Sequence, residues 1–163
     1  MGFEKISKLG DEADRIAAIY DVFDESARLD SKATNIEFIT SVKYIKDTLK
    51  PGMRILDLGA GTGRYSLYFA QKGYEVVAVE LVKKHAEAIE SAKTDMMNLK
   101  VVHGDALEQL ISMDSESFDI ILCFGPLYHM AKPEDRATCV EEILRVCTDQ
   151  GRMYFEFEYD VST

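Results

Sequence analysis

Apolar positions in this chain change their period near residue 50. Between about Asp11 and Leu29, acids alternate with Ile16, Ile19, Tyr20, Val22 and Phe23 at helical spacing. A second helical set, Ile36, Ile39, Val42, Tyr44, Ile45 and Leu49, runs up to Pro51-Gly52, a pair that stops a helix. Both stretches precede the first strand and are expected to pack beside a sheet or over its edge. From Met53, short apolar runs alternate with helical ones. Strands are predicted near Arg54 to Leu58, Glu75 to Glu80, Leu99 to His103, Phe118 to Phe124 and Arg152 to Tyr159, and helices near Gly63 to Lys72, Val82 to Lys93 and Pro133 to Cys147. Such alternation gives an α/β fold: a doubly wound parallel sheet of about five strands, helices on both faces and right-handed crossovers. Residues 1–50 are set apart as a helical segment packed on a core of residues 51–163, all within one domain. No repeat or low-complexity segment interrupts the pattern, and Ser112 to Ser117 reads as its one linker-like patch.

Where the first strand ends, the polar pattern acquires chemistry. The run Ile55-Leu56-Asp57-Leu58-Gly59-Ala60-Gly61-Thr62-Gly63 is an apolar strand entering alternating glycines, and Glu80 closes the next apolar run about twenty residues on. This is the layout of a nucleoside-binding crevice, in which glycines let backbone approach the ligand. Glu80 would accept hydrogen bonds from both ribose hydroxyls, a charge-assisted pairing. A dinucleotide fingerprint places its third glycine three residues after the second, where Arg64 stands, and keeps anions away from the pyrophosphate. Asp57, two residues before the first glycine, would repel a pyrophosphate and attract a ligand carrying ammonium and sulfonium charges. S-adenosylmethionine is such a ligand.

Charge narrows the partners. A formal net charge of -10 generates a field that repels polyphosphate, and no basic patch offsets it, so neither nucleic acid nor an anionic membrane surface is expected as a partner. Cys123, Cys139 and Cys147 are odd in number and lack metal-ligand spacing, which implies free thiols in a reducing compartment such as the cytoplasm. The N-terminus lacks the apolar core of a signal peptide, and no apolar run approaches bilayer-spanning length. Three dispersed histidines and no Cys, His or acid cluster make a metal site unexpected.

The glycine turn from Asp57 to Gly63, Glu80, the segment Gly104-Asp105-Ala106 and the run Phe124-Gly125-Pro126-Leu127-Tyr128-His129 together resemble the class I S-adenosylmethionine-dependent methyltransferases, which have a Rossmann-like fold. The likeness is closest to small bacterial members with Gly-Pro-Leu-Tyr-His after the fourth strand, and covers about Asn35 to Tyr159. It implies that Asp105 hydrogen-bonds the adenine amino group, Ala106 offers its backbone N–H to the ring, Leu81 packs on the adenine, and backbone around Gly59 and Cys123 holds the methionine end. It also implies two further strands, a C-terminal hairpin, for which no counterpart precedes Thr163. The final strand would then carry Met153, Tyr154, Phe155, Phe157 and Tyr159 on an unpaired edge, a template for a two-fold homodimer.

His129 lies just after strand four, at the edge where an acceptor meets the donor. A histidine there either takes a proton from the acceptor or serves as polar wall. Tyr128 suits packing against a cationic methyl donor better than proton transfer. Tyr20 and Arg28 either close over the crevice as a lid or belong to an amphipathic helix packed on the sheet. His85, flanked by Lys83, Lys84 and Glu87, is expected to be solvated, and His103 to neighbour the adenine or cap the surface. The leading function is methyl transfer to a small-molecule acceptor. The alternative is a truncated cofactor-binding module without turnover, acting if at all as an oligomer. A nicotinamide oxidoreductase is disfavoured by Asp57 and the glycine spacing.

Overall fold

The computed structural model describes residues 32–156. In chain order these form α1 (Lys32–Lys46), β1 (Arg54–Leu58), α2 (Arg64–Gln71), β2 (Glu75–Glu80), α3 (Lys83–Ala92), β3 (Leu99–His103), α4 (Ala106–Ser112), β4 (Phe118–Cys123), α5 (Pro126–His129), α6 (Pro133–Val146) and β5 (Cys147–Phe155). The strands make one sheet in the order β3-β2-β1-β4-β5, and every neighbouring pair is parallel. This is the doubly wound sheet that the alternation predicts.

A parallel sheet covered on both faces needs strands that are apolar on both sides. Leu56, Leu58, Val79, Ile121 and Cys123 turn to the layer that holds Leu110 of α4 and Cys139, Ile143 and Val146 of α6. Ile55, Val76, Ala78, Ile120 and Leu122 turn to the other, with Val42 and Ile45 of α1, Phe69 and Ala70 of α2 and Ile89 of α3. Register puts Asp57 between Ala78 and Leu122, a polar side chain in the central strand of the sheet.

Four expectations change. In α1, Val42 and Ile45 are buried, whereas Ile36, Ile39 and Tyr44 are 64–66% exposed. The helix carries two apolar stripes, and only one meets the sheet. The helices α4 and α5 were not foreseen, because seven and four residues are too short to establish a 3.6-residue period. The patch Ser112 to Ser117 is a tied turn, not a linker: Arg145 donates to the carbonyls of Met113 and Leu110 and to Ser115 Oγ. β5 begins at Cys147, directly after α6, and five of its residues pass two of β4, since Phe118 faces Cys147 and Ile120 faces Arg152. Gly151 lies in that irregularity, where a Cβ would run into Cys147 Sγ and the Asp119 carbonyl. Within β5, Met153 and Phe155 pack on one apolar layer and Tyr154 on the other. Its outer edge has no neighbour among the described residues. The helical pattern of residues 11–29, with Tyr20 and Arg28, and the edge residues Phe157 and Tyr159 lie outside the described residues.

Candidate functional site

β1 is flanked by β2 on one side and β4 on the other, so successive connections leave it in opposite directions and a crevice opens at its carboxyl end. The turn entering that crevice has Gly59, Gly61 and Gly63 at φ +69°, +56° and +84°, a left-handed conformation that favours glycine. Close approach adds to this at two of the three. A Cβ on Gly63 would lie 2.6 Å from Ile89 Cγ1, and one on Gly59 would lie 2.8 Å from the Pro126 ring. Gly61 differs, with nothing within 4 Å of its Cβ position. Gly61 and Thr62 are the partly buried tip of the turn.

The turn's N–H groups decide what it can bind. Gly59 and Ala60 both donate to the Val79 carbonyl, at 2.9 and 3.0 Å, and Gly63 donates to the Ala60 carbonyl at 2.9 Å. Gly61 donates to Glu80 Oε2 at 2.7 Å. A phosphate cradle aims such N–H groups at its ligand. Here all four are satisfied within the protein, which agrees with the argument from Asp57 against a pyrophosphate.

Two buried carboxylates stand beside the turn. Glu80, 5% exposed, takes the Gly61 N–H on Oε2 and the Val82 N–H on Oε1, both at 2.7 Å. Asp57, 3% exposed, takes a 2.6 Å hydrogen bond on Oδ2 from Ser66 Oγ, in the first turn of α2. Burial pushes the Asp57 carboxyl up to about 6, with the Glu80 charge adding to the rise and the Ser66 hydrogen bonds opposing it. His85 corrects the sequence reading. It is 5% exposed, with Nδ1 3.7 Å from Glu80 Oε1, because Val82, His85, Ala86 and Ile89 form the stripe of α3 that faces the sheet. Lys83, Lys84 and Glu87 occupy the solvent side.

Next along the edge, Leu81 is half-buried, and its carbonyl lies 3.0 Å from Nε2 of the exposed His103. Gly104 N–H donates to the Glu80 carbonyl at 3.0 Å, so the tips of β2 and β3 are tied. Asp105 caps α4 through Oδ1, which accepts from Leu107 and Glu108 N–H at 2.9 and 3.1 Å. Any adenine contact by this side chain therefore falls on Oδ2. Ala106 opens the helix and is buried.

Across the crevice, Cys123 ends β4 beside Leu58. Its thiol is pushed up to about 12 by burial and stays protonated. Gly125 begins the short α5, which brings Tyr128, exposed, and His129, half-buried, to the same edge of the sheet. An aromatic row, not anticipated from sequence, lines the approach. Tyr65 lies 4.9 Å from both Phe38 and Phe124, ring centre to ring centre, and the Arg64 guanidinium sits 4.3 Å over Phe38. Burial pushes the Tyr65 hydroxyl up to about 12, so it holds its proton at neutral pH. Ser66, His85 and the Phe38 and Tyr65 members of this row were missed because each is contributed by a helix face, and only packing brings those faces to the strand tips and to Phe124. Among the described residues no group of His, Cys, Asp and Glu could hold a metal ion, and no helix is long and apolar enough to cross a membrane.

Comparison with known proteins agrees with this geometry. The PH0226 protein of Pyrococcus horikoshii OT3 superposes with a TM-score of 0.69 and 26% identity, over 85% of this chain and 65% of that one. A SAM-dependent methyltransferase of Methanosarcina mazei shares the fold, with a TM-score of 0.61 and 24% identity, over 69% of this chain and 55% of that one. The glycine/sarcosine N-methyltransferase of Aphanothece halophytica is 31% identical over 111 residues, which are 66% of this chain and 42% of that protein. The chain spans less than half the length of the curated relatives it matches. Residues 55–151 match the methyltransferase domain family, and since that match takes in β1 to β4, the glycine turn and Glu80, the chain belongs to this family, the class I S-adenosylmethionine-dependent methyltransferases.

Proposed function

We propose that this chain transfers a methyl group from S-adenosylmethionine to a small-molecule acceptor at the carboxyl edge of β1, β2 and β4. The observation that carries the reading is the pairing of Glu80 with a glycine turn in which the N–H groups of Gly59, Ala60, Gly61 and Gly63 are satisfied internally. Such a crevice offers carboxylate oxygens to a cationic nucleoside and withholds those four N–H groups from a phosphate. The residues present fit this cofactor: each Glu80 oxygen holds one backbone N–H and keeps lone-pair capacity for a ribose hydroxyl, and Gly61 leaves its Cβ position open.

When bound, the cofactor supplies an electrophilic methyl on a sulfonium. In this proposal Glu80 holds the ribose, and Leu81, Gly104, Asp105 and Ala106 enclose the adenine. Asp57, through its charge, together with the turn from Gly59 through Ala60 and Thr62 to Gly63 and the backbone at Cys123, orients the methionine end. Tyr128 walls the acceptor side, and His129 accepts the proton that an acceptor oxygen or nitrogen loses. Alignment and exclusion of water by these walls account for most of the acceleration. The net charge of -10 favours a small acceptor over a nucleic acid. The buried free thiols Cys123, Cys139 and Cys147 suit a reducing, cytoplasmic setting. The outer edge of β5, without a neighbour among the described residues, supports a homodimer.

Calorimetry with S-adenosylhomocysteine and with NAD tests the cofactor: micromolar binding of the first and none of the second is expected, and the reverse would sink the reading. Release of S-adenosylhomocysteine over a panel of small-molecule acceptors tests turnover. Cofactor binding without release on any acceptor, nucleic acid included, would leave a binding module.

A further inference from the structure

We propose that His85 is a positioning residue for the ribose-binding carboxylate, holding Glu80 from beneath so that its remaining lone pairs face the crevice. The inference rests on the cofactor reading above and adds a residue to it. Glu80 is held by two backbone hydrogen bonds and has an imidazole beside it. The glycine turn holds Oε2 through Gly61, the start of α3 holds Oε1 through Val82, and the imidazole Nδ1 of His85 stands 3.7 Å from that same Oε1.

Packing alone does not call for a histidine here. The neighbouring inward positions are Val82, which precedes α3, and Ala86 and Ile89 within it, all apolar and all buried. An aliphatic side chain at position 85 would continue that stripe without the cost of desolvating an imidazole. What the imidazole adds is a directed, polar and protonatable group beside a carboxylate in low dielectric. Its need is visible in the charges around it. Glu80 shares the crevice with the Asp57 carboxylate, which repels it, while Lys83, Lys84 and Glu87 of α3 point to solvent and are screened. An imidazole behind Oε1 sets a polar edge beside that crowded carboxylate, where an aliphatic side chain would set none, and limits its rotation away from the crevice.

The test is a double-mutant cycle read by calorimetry with S-adenosylhomocysteine. His85→Leu should weaken binding about tenfold in the wild-type background, as expected for loss of a polar contact to a charged group. In the Glu80→Gln background the same change should cost less than about twofold, because the charge it serves is gone. His85→Asn, which keeps a donor near the Nδ1 position, should restore affinity to within about threefold. His85→Met is run in parallel, so that a poorly folding leucine variant does not decide the outcome. Equal losses from His85→Leu or His85→Met in both backgrounds, or no rescue by asparagine, would overturn the proposal and leave His85 as packing. A wild-type protein that fails to bind S-adenosylhomocysteine would overturn the cofactor reading and this one with it.

Discussion

Ser66 Oγ donates a 2.6 Å hydrogen bond to Asp57 Oδ2, joining the first turn of α2 to the penultimate residue of the central strand, β1. The bond stabilises the Asp57 anion, yet burial outweighs it and leaves the carboxyl raised to about 6. The protein thus keeps a strained charge at the place where a cation is proposed to bind.

The free protein should carry that strain as a pH-dependent stability. Between about pH 4 and 6 the folded state holds a proton on Asp57 that the unfolded chain has released, so this group's contribution falls as pH rises and is flat above about 6. Asp57→Asn should therefore stabilise the ligand-free protein by up to about 3 kcal/mol at pH 7.5 and by little at pH 4. It should also weaken S-adenosylmethionine more than the uncharged-sulfur product. Urea titrations at the two pH values and calorimetry check both, and a variant less stable than wild type at pH 7.5 would refute the strain.

The glycines of the turn should separate into two kinds. Gly63→Ala meets Ile89 and a left-handed backbone together, and should cost the fold about 3 kcal/mol or more. Gly61→Ala has open space, so its stability cost should stay near the left-handed penalty of about 1 kcal/mol while cofactor affinity falls. Thermal melts beside calorimetry read the split. Equal melting losses in the two variants would remove it.

Glu80→Ala deletes the acceptor proposed for the ribose together with the anchor of Gly61. A loss of roughly 1.5 to 3 kcal/mol in S-adenosylhomocysteine affinity is expected, as for hydrogen bonds to a charged group. Affinity unchanged within error would dismiss Glu80 as the ribose residue.

Once an acceptor is found, His129→Ala should lower kcat at least about a hundredfold with donor affinity preserved. Normal turnover would leave His129 as wall.

The proposed pairing at β5, whose outer edge has no neighbour among the described residues, should show itself as concentration-dependent association, a two-fold dimer in sedimentation at micromolar protein. Substitutions at Met153 or Phe155 are poor probes of it, since both side chains pack on the core and Tyr154 is held by Thr48 at 2.7 Å. A strictly monomeric species would end the idea.

The sequence by itself determined the sheet, because strands buried on both faces leave unbroken apolar runs, and it located the crevice, because alternating glycines after an apolar strand mark a turn whose backbone favours glycine at 59, 61 and 63. Asp57 and Glu80 were legible for the same local reason: a carboxylate closing or interrupting an apolar run has little other use. Tertiary structure decided what surrounds them. His85 looks solvated in sequence because Lys83, Lys84 and Glu87 flank it, but the rotation of α3 on the sheet turns it inward to Glu80. Tyr65 and Ser66 reach the site from α2 and Phe124 from just past the end of β4, and Ile36 and Ile39 fall on the face of α1 turned from the sheet. Periodicity records that a helix has an apolar stripe. Which stripe is buried, and what it meets, is set by contacts between residues far apart in the chain.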